Sequence, residues 1–339
     1  MTETVLVTGG TGYVAGWCIA ALLRRGYDVR ATVRGPAKEQ AVRDAVASVA
    51  DPARLSFATA DLTADAGWDE AVDGVAGVLH VASPLGDDTA RDPGALIVPA
   101  RDGALRVLRA AAAHGVRRVV LTSAANAASP GSYRSEGVTD ETLWTTDGPA
   151  LPAYRRSKTL AERAAWDFAA AHGGTELTTV LPGAVFGPIL STATLGSVRI
   201  IERMVRGDLP GAPRIGLEVV DVRDVADLHV RAMLSPDAAG ERFLGTGEFI
   251  WMRDIARILR EGLGPAGARV STRQIPDALV RLAALRDRSL RSITVSLGRR
   301  NRHTTAKAER LLGWRPRPAA ETVLACARSL IEHGVVHPE

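Results

Sequence analysis

Tyr154 and Lys158 have the side-chain types and the spacing needed to transfer a proton. They lie four residues apart in a segment with a helical pattern, so we expect both on one face of a helix. A phenol is a weak acid at neutral pH, but a neighbouring ammonium group favours the phenolate and lowers the pKa of the phenol. The pair therefore predicts general acid catalysis, with Tyr154 protonating a carbonyl oxygen. Arg155 and Arg156 point to other faces of the same helix, and we expect both in solvent.

A glycine-rich turn near the N-terminus indicates where a cofactor binds. The segment 9–16 (GGTGYVAG) follows a strand-like run at residues 5–8 and precedes a helical pattern at residues 17–25. A dinucleotide-binding fingerprint requires this strand, turn and helix context. One glycine permits the tight turn, another lets the backbone approach the pyrophosphate, and the helix N-terminus offers free N–H groups. The residues predicted to bind the cofactor here are Gly9, Thr11, Gly12, Tyr13 and Val14.

The end of the second strand-like segment distinguishes between the two nicotinamide dinucleotides. A carboxylate at this position would accept hydrogen bonds from the ribose hydroxyls of NAD, but residue 34 is an arginine. Asp28 precedes the strand and therefore falls at the opposite end of the sheet. Arg34, with Lys38 one helical turn further on, suits the 2′-phosphate of NADP because guanidinium and ammonium groups pair with phosphate. We predict NADPH as the cofactor, bound by Arg34 and Lys38.

Short β-branched segments alternate with longer helical patterns through the first half of the chain. The strand-like runs include residues 5–8, 29–33, 55–60 and 77–82, with another at 116–122. This alternation predicts an α/β fold, a Rossmann-type doubly wound parallel sheet. In such an open sheet the ligand binds at the carboxyl ends of the strands. The residues expected to line that crevice are Gly9, Arg34, Asp61, Ala82 and Ser123.

The alternation weakens after a strand-like run at residues 177–181, which predicts a smaller C-terminal lobe for the substrate. At 339 residues the chain exceeds the size at which one hydrophobic core stops growing, and this favours two lobes with a cleft between them. We predict a dinucleotide-binding Rossmann domain at residues 1–182, to which residues 215–235 return. Residues 183–339 are predicted to form mainly the substrate-binding lobe.

Composition argues against several other classes of protein. Hydrophobic residues make up 46% of the chain and the net charge is only +4, so the chain has a globular composition without a nucleic-acid signature. Cys18 and Cys326 lie far apart in apolar helical patterns, and no apolar run reaches the length of a membrane span. We expect a cytoplasmic monomer or homodimer with no metal, membrane or nucleic-acid partner. The histidines judged to lack metal-ligand spacing are His80, His114, His172, His229 and His303.

Nine segments spread along the chain form a recognisable set of motifs, and they are 7–15 (VTGGTGYVA), 30–34 (RATVR), 61–62 (DL), 80–84 (HVASP), 154–158 (YRRSK), 161–166 (AERAAW), 181–188 (LPGAVFGP), 220–226 (VDVRDVA) and 307–314 (KAERLLGW). Through them nearly the whole chain resembles the extended short-chain dehydrogenases/reductases, within the branch that holds dihydroflavonol reductases, cinnamoyl-CoA reductases and microbial aldehyde or ketone reductases. The resemblance implies a reductase that transfers a hydride from NADPH to a small-molecule carbonyl substrate, with the difficult chemistry supplied by the cofactor.

The resemblance also implies cofactor-binding roles for residues that their spacing alone does not assign. Asp61 and Leu62 are implied to hold the adenine, and residues 182–185 to contact the nicotinamide end of the cofactor. Lys158 is implied to bind the ribose hydroxyls besides tuning Tyr154, so both members of the pair also count as cofactor-binding residues. The other positions implied to border the cofactor are Val81, Ala82, Ser83, Pro182 and Val185.

The sequence departs from the family at the end of the fifth strand. The family usually has Thr-Ser-Ser there, and its second Ser donates the catalytic hydrogen bond, but this chain has Thr122, Ser123 and Ala124. Either Ser123 or Asn126 supplies that hydrogen bond, or the site depends on Tyr154 alone; of these we favour Ser123. Losing one donor to a developing oxyanion typically costs about 10²–10³ in rate, so slow or unusual chemistry is compatible with the sequence.

Two other functions are compatible with the sequence. A nucleotide-sugar epimerase or dehydratase that retains NAD shares the extended architecture, but Arg34 disfavours it. A catalytically weak, cofactor-sensing relative would keep the fold without turnover, which Ala124 allows and the Tyr–Lys pair disfavours. The substrate is expected to contact the loop after Asn126 and residues 189–204. The apolar members of that stretch fit either a hydrophobic pocket or helix packing, and they are Ile189, Leu190 and Leu195.

Overall fold

The computed structural model describes residues 3–84, 92–131, 136–148, 151–193 and 195–337. Within these ranges the strands are β1 (Thr4–Val7), β2 (Asp28–Val33), β3 (Leu55–Thr59), β4 (Gly77–His80), β5 (Arg118–Thr122), β6 (Gly137–Thr139), β7 (Glu176–Pro182), β8 (Ala184–Phe186), β9 (Ala212–Pro213), β10 (Gly216–Asp221), β11 (Arg242–Gly245), β12 (Glu248–Trp251), β13 (Gln274–Ile275) and β14 (Asn301–His303). The α-helices are α1 (Tyr13–Arg24), α2 (Glu39–Ala47), α3 (Trp68–Val72), α4 (Gly94–Ala113), α5 (Ala153–Ala171), α6 (Arg199–Arg206), α7 (Val222–Leu234), α8 (Met252–Gly262), α9 (Asp277–Ala283), α10 (Arg288–Thr294), α11 (Ala306–Leu312) and α12 (Ala319–Glu332).

Seven strands form one sheet in the order β11-β7-β5-β4-β1-β2-β3. Every pairing within this sheet is parallel. The chain builds the sheet outward from β1 in one direction through β2 and β3, and in the other through β4, β5 and β7. The point where the direction reverses, between β1 and β4, is where open α/β sheets bind their ligands. The predicted Rossmann-type doubly wound sheet is confirmed.

Helices cover both faces of the seven-stranded sheet because its strands are apolar on both sides. All four residues of β4 are buried, as is typical of strands in parallel sheets. On one face α1 and α7 contribute Trp17 and Val225 to the core. On the other face α4 and α5 contribute Leu108 and Phe168. Both faces are therefore covered, and in an open α/β sheet of this kind the ligand binds at the carboxyl ends of the strands.

A second, smaller core lies in the C-terminal half of the chain. The strands β12, β10 and β8 form a three-stranded sheet in that order, and α6, α8 and α12 pack around it through Ile201, Ile255 and Val323. Between these elements α7 and β11 return to the first sheet, where α7 contacts α1 and β11 pairs with β7. The change from the first sheet to the second lobe falls between β7 and β8, after Pro182.

The C-terminal segment also reaches the loop that follows β5. The short strand β14 pairs with β6 of that loop. Next to this pairing His303 Nε2 lies 2.9 Å from Ser129 Oγ, and His303 Nδ1 forms a hydrogen bond with Glu218 of β10. These contacts fix the described part of the loop after β5 to β14 and, through His303, to β10.

Candidate active site

The carboxyl ends of the parallel strands bring the residues predicted from the sequence to one edge of the sheet. Because neighbouring strands run in the same direction, residues that follow them meet along the same crevice. In chain order these residues are Gly9 after β1, Arg34 after β2, Asp61 after β3, residues 81–83 after β4, Ser123 after β5 and Pro182 at the end of β7.

The glycine turn after β1 is shaped by close contact with its neighbours. Gly9 has a φ of +74°, which favours glycine, and a Cβ there would lie 2.9 Å from the Cβ of Ala82. The Gly9 N–H donates to Thr32 Oγ1 at 2.8 Å, which fixes the turn to β2. The helix α1 then begins at Tyr13, and its N-cap residue Gly12 gives it no side-chain cap. The first N–H groups of α1 therefore suit a phosphate, as the predicted pyrophosphate site requires.

Tyr13 uses its side chain to contact the second lobe. Its hydroxyl donates to the carbonyl oxygen of Gly187 at 2.8 Å. Burial, as the largest cause, raises the pKa of this phenol well above its usual value, so the hydroxyl stays protonated. The hydroxyl of Tyr13 is therefore engaged within the protein, and the predicted contact with the cofactor falls to its backbone or its ring. Thr11 and Val14 are half-buried on the same turn.

Two exposed cationic side chains follow the carboxyl end of β2. Arg34 and Lys38 are both exposed, and Lys38 ends the 3₁₀ turn Pro36–Lys38. Asp61, beyond the neighbouring β3, accepts hydrogen bonds from the N–H and hydroxyl of Thr63 at 2.8 and 2.7 Å. These hydrogen bonds lower the pKa of Asp61, and Arg34 is close enough for its charge to contribute. A guanidinium group thus lies beside the residue implied to hold the adenine.

The loop after β4 is held by a buried chain of hydrogen bonds. The Ala82 N–H donates to Thr8 Oγ1 at 2.9 Å, so the Thr8 hydroxyl is free to donate its proton to His80 Nδ1, 2.8 Å away. Burial, with a smaller effect from the charge of Lys158, lowers the pKa of His80 to about 3, and the ring is neutral. Residues 81–83 are half-buried on this support. The sequence alone gave no indication that His80 helps to support this loop.

Other predicted cofactor contacts are placed by close packing of the backbone. A Cβ on Gly103 of α4 would lie 2.9 Å from the Cβ of Leu62, so α4 packs directly on Leu62. A Cβ on Gly183 would collide with the carbonyl oxygen of Glu218 in β10. Next to Gly183, Pro182 is buried and Val185 is half-buried. These close approaches fix the positions of both segments at the crevice.

Tyr154 and Lys158 lie in the first two turns of α5, which begins at Ala153. Lys158 Nζ donates to the carbonyl oxygen of Thr122, the last residue of β5, at 3.3 Å. Burial lowers the pKa of Lys158 to about 8, and the charge of Glu162 opposes this effect. Tyr154 is half-buried one turn earlier on the same face. The helix therefore presents a phenol and an ammonium group at the edge where the strand ends converge.

The hydroxyl of Ser123 is engaged within the protein. Ser123 Oγ donates to Glu162 Oε2 at 2.6 Å, and a serine has only one proton to give. To act as the predicted donor, Ser123 has to exchange Glu162 for the substrate. The other candidate, Asn126, is half-buried in the 3₁₀ turn Ala125–Ala128. The choice between these two residues stays a prediction.

The expectation that Arg155 lies in solvent is wrong. Its side chain is 5% exposed, and its guanidinium group donates to the carbonyl oxygens of Asn126 at 3.1 Å and Ser129 at 2.7 Å. Arg155 thereby fixes the loop after β5 onto α5. Helical spacing gives the face on which a residue lies, but it does not show that a distant loop covers that face. Arg156 is partly exposed and pairs with Asp147 at 2.7 Å.

The stretch expected to contact the substrate is mostly packed in the second lobe. Ile189 and Leu195 are 2% and 8% exposed and belong to the core of that lobe, so packing accounts for them. Leu190 lies over α1, where a Cβ on Gly16 would be 3.2 Å from it. Residue 194, and residues 132–135 and 149–150 of the loop after Asn126, lie outside the described residues.

A doubly wound parallel sheet with this glycine turn is typical of one class of protein, the enzymes that use a nicotinamide dinucleotide. Residues 5–244 match the model of the NAD dependent epimerase/dehydratase family. The chain belongs to this family, which is the extended short-chain dehydrogenase/reductase family that the sequence resembles.

Individual relatives place the chain more narrowly within the family. It is similar to a cinnamoyl-CoA reductase of Medicago truncatula, with 36% identity over 266 residues that cover 76% of this chain and 80% of the relative. A dihydroflavonol 4-reductase of Zea mays is 34% identical over 267 residues, 76% of this chain and 74% of the relative. The solved structure of the yeast methylglyoxal/isovaleraldehyde reductase Gre2 with NADPH has a TM-score of 0.82 at 23% identity, covering 98% of this chain and 99% of that one. The resemblance to the reductase branch is confirmed.

Proposed function

We propose that this protein reduces an aldehyde or a ketone to an alcohol with NADPH, with Tyr154 as the general acid and Lys158 as its partner. The observation that supports this most strongly is the buried ammonium group of Lys158 at the end of β5, one helical turn from Tyr154. Perturbed ionisable groups of this kind concentrate at functional sites. Only three of the 42 basic residues in the chain are lysines. A compact ammonium at this position, where the chain otherwise uses arginine, fits a catalytic role.

The residues at the crevice suit NADPH. Two features fit the pyrophosphate. Gly9 and Ala82 leave a gap that a Cβ at Gly9 would fill, and the first turn of α1 has no side-chain cap. Arg34 and Lys38, exposed at the end of β2, fit the 2′-phosphate. The relatives named above are reductases, and the yeast structure was solved with NADPH.

The chemistry divides between cofactor and protein. NADPH, when bound, supplies the hydride that moves from its nicotinamide C4 to the carbonyl carbon of the substrate. Tyr154 gives its phenolic proton to the carbonyl oxygen, and the product is the alcohol. Lys158, held by the carbonyl oxygen of Thr122, stabilises the negative charge that develops on the Tyr154 oxygen.

We expect the rate of carbonyl reduction to fall as the pH rises through about 8. Because burial lowers the pKa of Lys158 to about 8, the ammonium group is present below this pH and is lost above it. The neutral amine cannot stabilise the tyrosinate. The measurement is kcat/KM with NADPH across the neutral and alkaline range, with the affinity for NADPH measured at each pH. A rate that is constant throughout this range would contradict the role of Lys158.

Two alternatives predict different behaviour of the purified protein. An epimerase or dehydratase keeps NAD bound through turnover, whereas a cofactor-sensing relative binds NADPH and turns over nothing. The test mixes the protein with NADPH and a panel of carbonyl compounds and follows the loss of NADPH absorbance. The panel includes methylglyoxal, isovaleraldehyde, cinnamoyl-CoA and a dihydroflavonol, after the names of the relatives. We expect NADPH consumption with at least one compound; ordinary NADPH binding without consumption favours the sensor.

We further propose that the protein works in the cytoplasm as a monomer or homodimer, without a nucleic-acid partner. Among the helices of the described ranges, none combines the length and the hydropathy that a bilayer crossing needs. Both cysteines, Cys18 and Cys326, are buried free thiols, which suits a reducing compartment. Light scattering on the purified protein measures the oligomeric state directly.

A further inference from the structure

We propose that Glu162 is a positioning residue for the reduction, whose negative charge keeps the neighbouring Lys158 ammonium in its charged form. The inference rests on the proposed function because it concerns the same site. The observation behind the inference is that hydrogen bonds from three strands of the sheet hold the Glu162 side chain of α5 in one position.

The carboxylate of Glu162 is held from three strands. Its side chain is buried, at 1% exposure, and it lies one helical turn after Lys158 on α5. Oε2 accepts a hydrogen bond from Ser123 Oγ, just beyond β5, at 2.6 Å. Oε1 accepts from Thr179 Oγ1 of β7 and from Arg242 Nε of β11, each at 2.8 Å. With its oxygens bound in three directions, the carboxylate has no freedom to rotate.

The ion pair of Glu162 with Arg242 has a fixed orientation. Strand β11, which carries Arg242, lies two strands from β5 in the sheet, with β7 between them. Lys158 contacts β5, so Glu162 lies between the two cations. Arg242 donates to the carbonyl oxygens of Glu141 and Leu143, and it lies over the ring of Trp144 with Cζ 3.6 Å from the centroid. Arg242 is therefore held on the far side of Glu162, and the negative end of the pair faces Lys158.

Lys158 and Glu162 line the same small cavity. It has a volume of about 10 Å³ and is lined by both of these residues together with His80, Thr122 and Ser123, which leaves room for about one water molecule. Its other walls include apolar side chains that hold no competing charge, namely Ala100, Ala104, Leu121 and Ala161. In such surroundings a carboxylate and an ammonium group interact more strongly than they do in water.

The charged groups around Lys158 support the same assignment. Burial of the ammonium lowers the pKa of Lys158, and the charge of Glu162 is the effect that raises it. His80 faces the same cavity but is neutral at working pH, because burial lowers its pKa to about 3. Arg242, with the Glu141 carbonyl beyond it, lies behind Glu162, and Tyr154 is the reacting group itself. Among the described residues, Glu162 is thus the anion that we propose keeps the Lys158 ammonium charged.

The test compares three variants. Glu162→Gln removes the charge but keeps the shape of the side chain, Arg242→Gln breaks the ion pair but keeps the carboxylate, and Thr179→Val removes one hydrogen bond to that carboxylate. We expect Glu162→Gln to move the alkaline fall of kcat/KM to lower pH by about one unit, as loss of a nearby opposite charge does. The shift is read from the pH profile of each variant relative to its own rate at pH 6, where Lys158 is still charged. Neither Arg242→Gln nor Thr179→Val should move the fall to lower pH.

A second readout does not depend on turnover. The chain has three lysines, Lys38, Lys158 and Lys307, so NMR of protein labelled with ¹³C-lysine can follow Lys158 after Lys38→Arg and Lys307→Arg identify the other two signals. The titration of Lys158 should move to lower pH in Glu162→Gln and not in Thr179→Val. If Glu162→Gln fails to fold because Arg242 loses its partner, the double variant Glu162→Gln/Arg242→Gln carries the same expectation.

The outcomes separate this proposal from the proposed function. An unmoved Lys158 titration in Glu162→Gln, or an equal shift in Arg242→Gln, overturns the role of the Glu162 charge and leaves a structural ion pair. A wild-type protein that consumes no NADPH with any carbonyl compound overturns the reductase function, and the NMR titration still decides whether Glu162 controls the charge of Lys158.

Discussion

Replacement of Tyr154 by phenylalanine is expected to lower kcat for carbonyl reduction by about 10³-fold, within the range of general acid catalysis. The ring remains in the first turn of α5, and only the transferable proton is lost. We propose that NADPH is bound mainly by other elements of the crevice, namely the turn around Gly9 and the cations Arg34 and Lys38. We therefore expect the dissociation constant for NADPH, measured by fluorescence titration, to stay within about threefold of the wild type.

A matched control removes a hydroxyl of the same type elsewhere. Tyr27 lies directly before β2, at the end of the sheet opposite the crevice. Tyr27→Phe should therefore leave kcat unchanged. Thermal unfolding of both variants shows whether removal of either hydroxyl has destabilised the fold. If Tyr154→Phe keeps most of its activity while both variants unfold like the wild type, Tyr154 is not the general acid.

The sheet and its ligand-binding edge could be predicted because their signals are local. Short segments of sequence are enough to show the alternation of strand-like and helical patterns. Once the strands are parallel, their carboxyl ends necessarily lie at the same edge of the sheet. The turn at Gly9 is similar, since only glycine fits a positive φ with a neighbouring Cβ so close. The i, i+4 spacing of Tyr154 and Lys158 was sufficient to place both on one face of α5.

The surroundings of Tyr154 and Lys158 could not be predicted in the same way. Glu162 and Arg242 are eighty positions apart in the chain and meet only because β11 joins the sheet next to β7. Arg155 is buried by a loop that periodicity does not describe. For Ser123 a comparison of motifs gives the position in the chain, but the direction of its hydroxyl depends on Glu162, which lies thirty-nine residues later. Each of these contacts depends on the tertiary fold rather than on a local pattern.

The second large effect is expected at the cofactor site. Arg34 is exposed beyond β2 and close to Asp61, and we propose that it pairs with the 2′-phosphate of NADPH. Arg34→Asp replaces attraction by repulsion at that phosphate, so we expect NADPH to bind about 100-fold more weakly. NADH lacks the phosphate, and its affinity should change by less than about threefold. Fluorescence titration with both cofactors gives the ratio of the two affinities.

The control for Arg34→Asp changes the charge of the protein equally at a distance. Arg24 is exposed in the last turn of α1, at the end of that helix opposite the glycine turn. Arg24→Asp should therefore leave the NADPH to NADH preference close to that of the wild type, because a surface charge at the far end of α1 is screened by salt. An equal loss of NADPH affinity in both variants would mean a general electrostatic effect rather than pairing with the 2′-phosphate. An unchanged preference in Arg34→Asp would remove the physical reason for choosing NADPH over NADH, and the argument against an NAD-retaining epimerase would lose its basis with it.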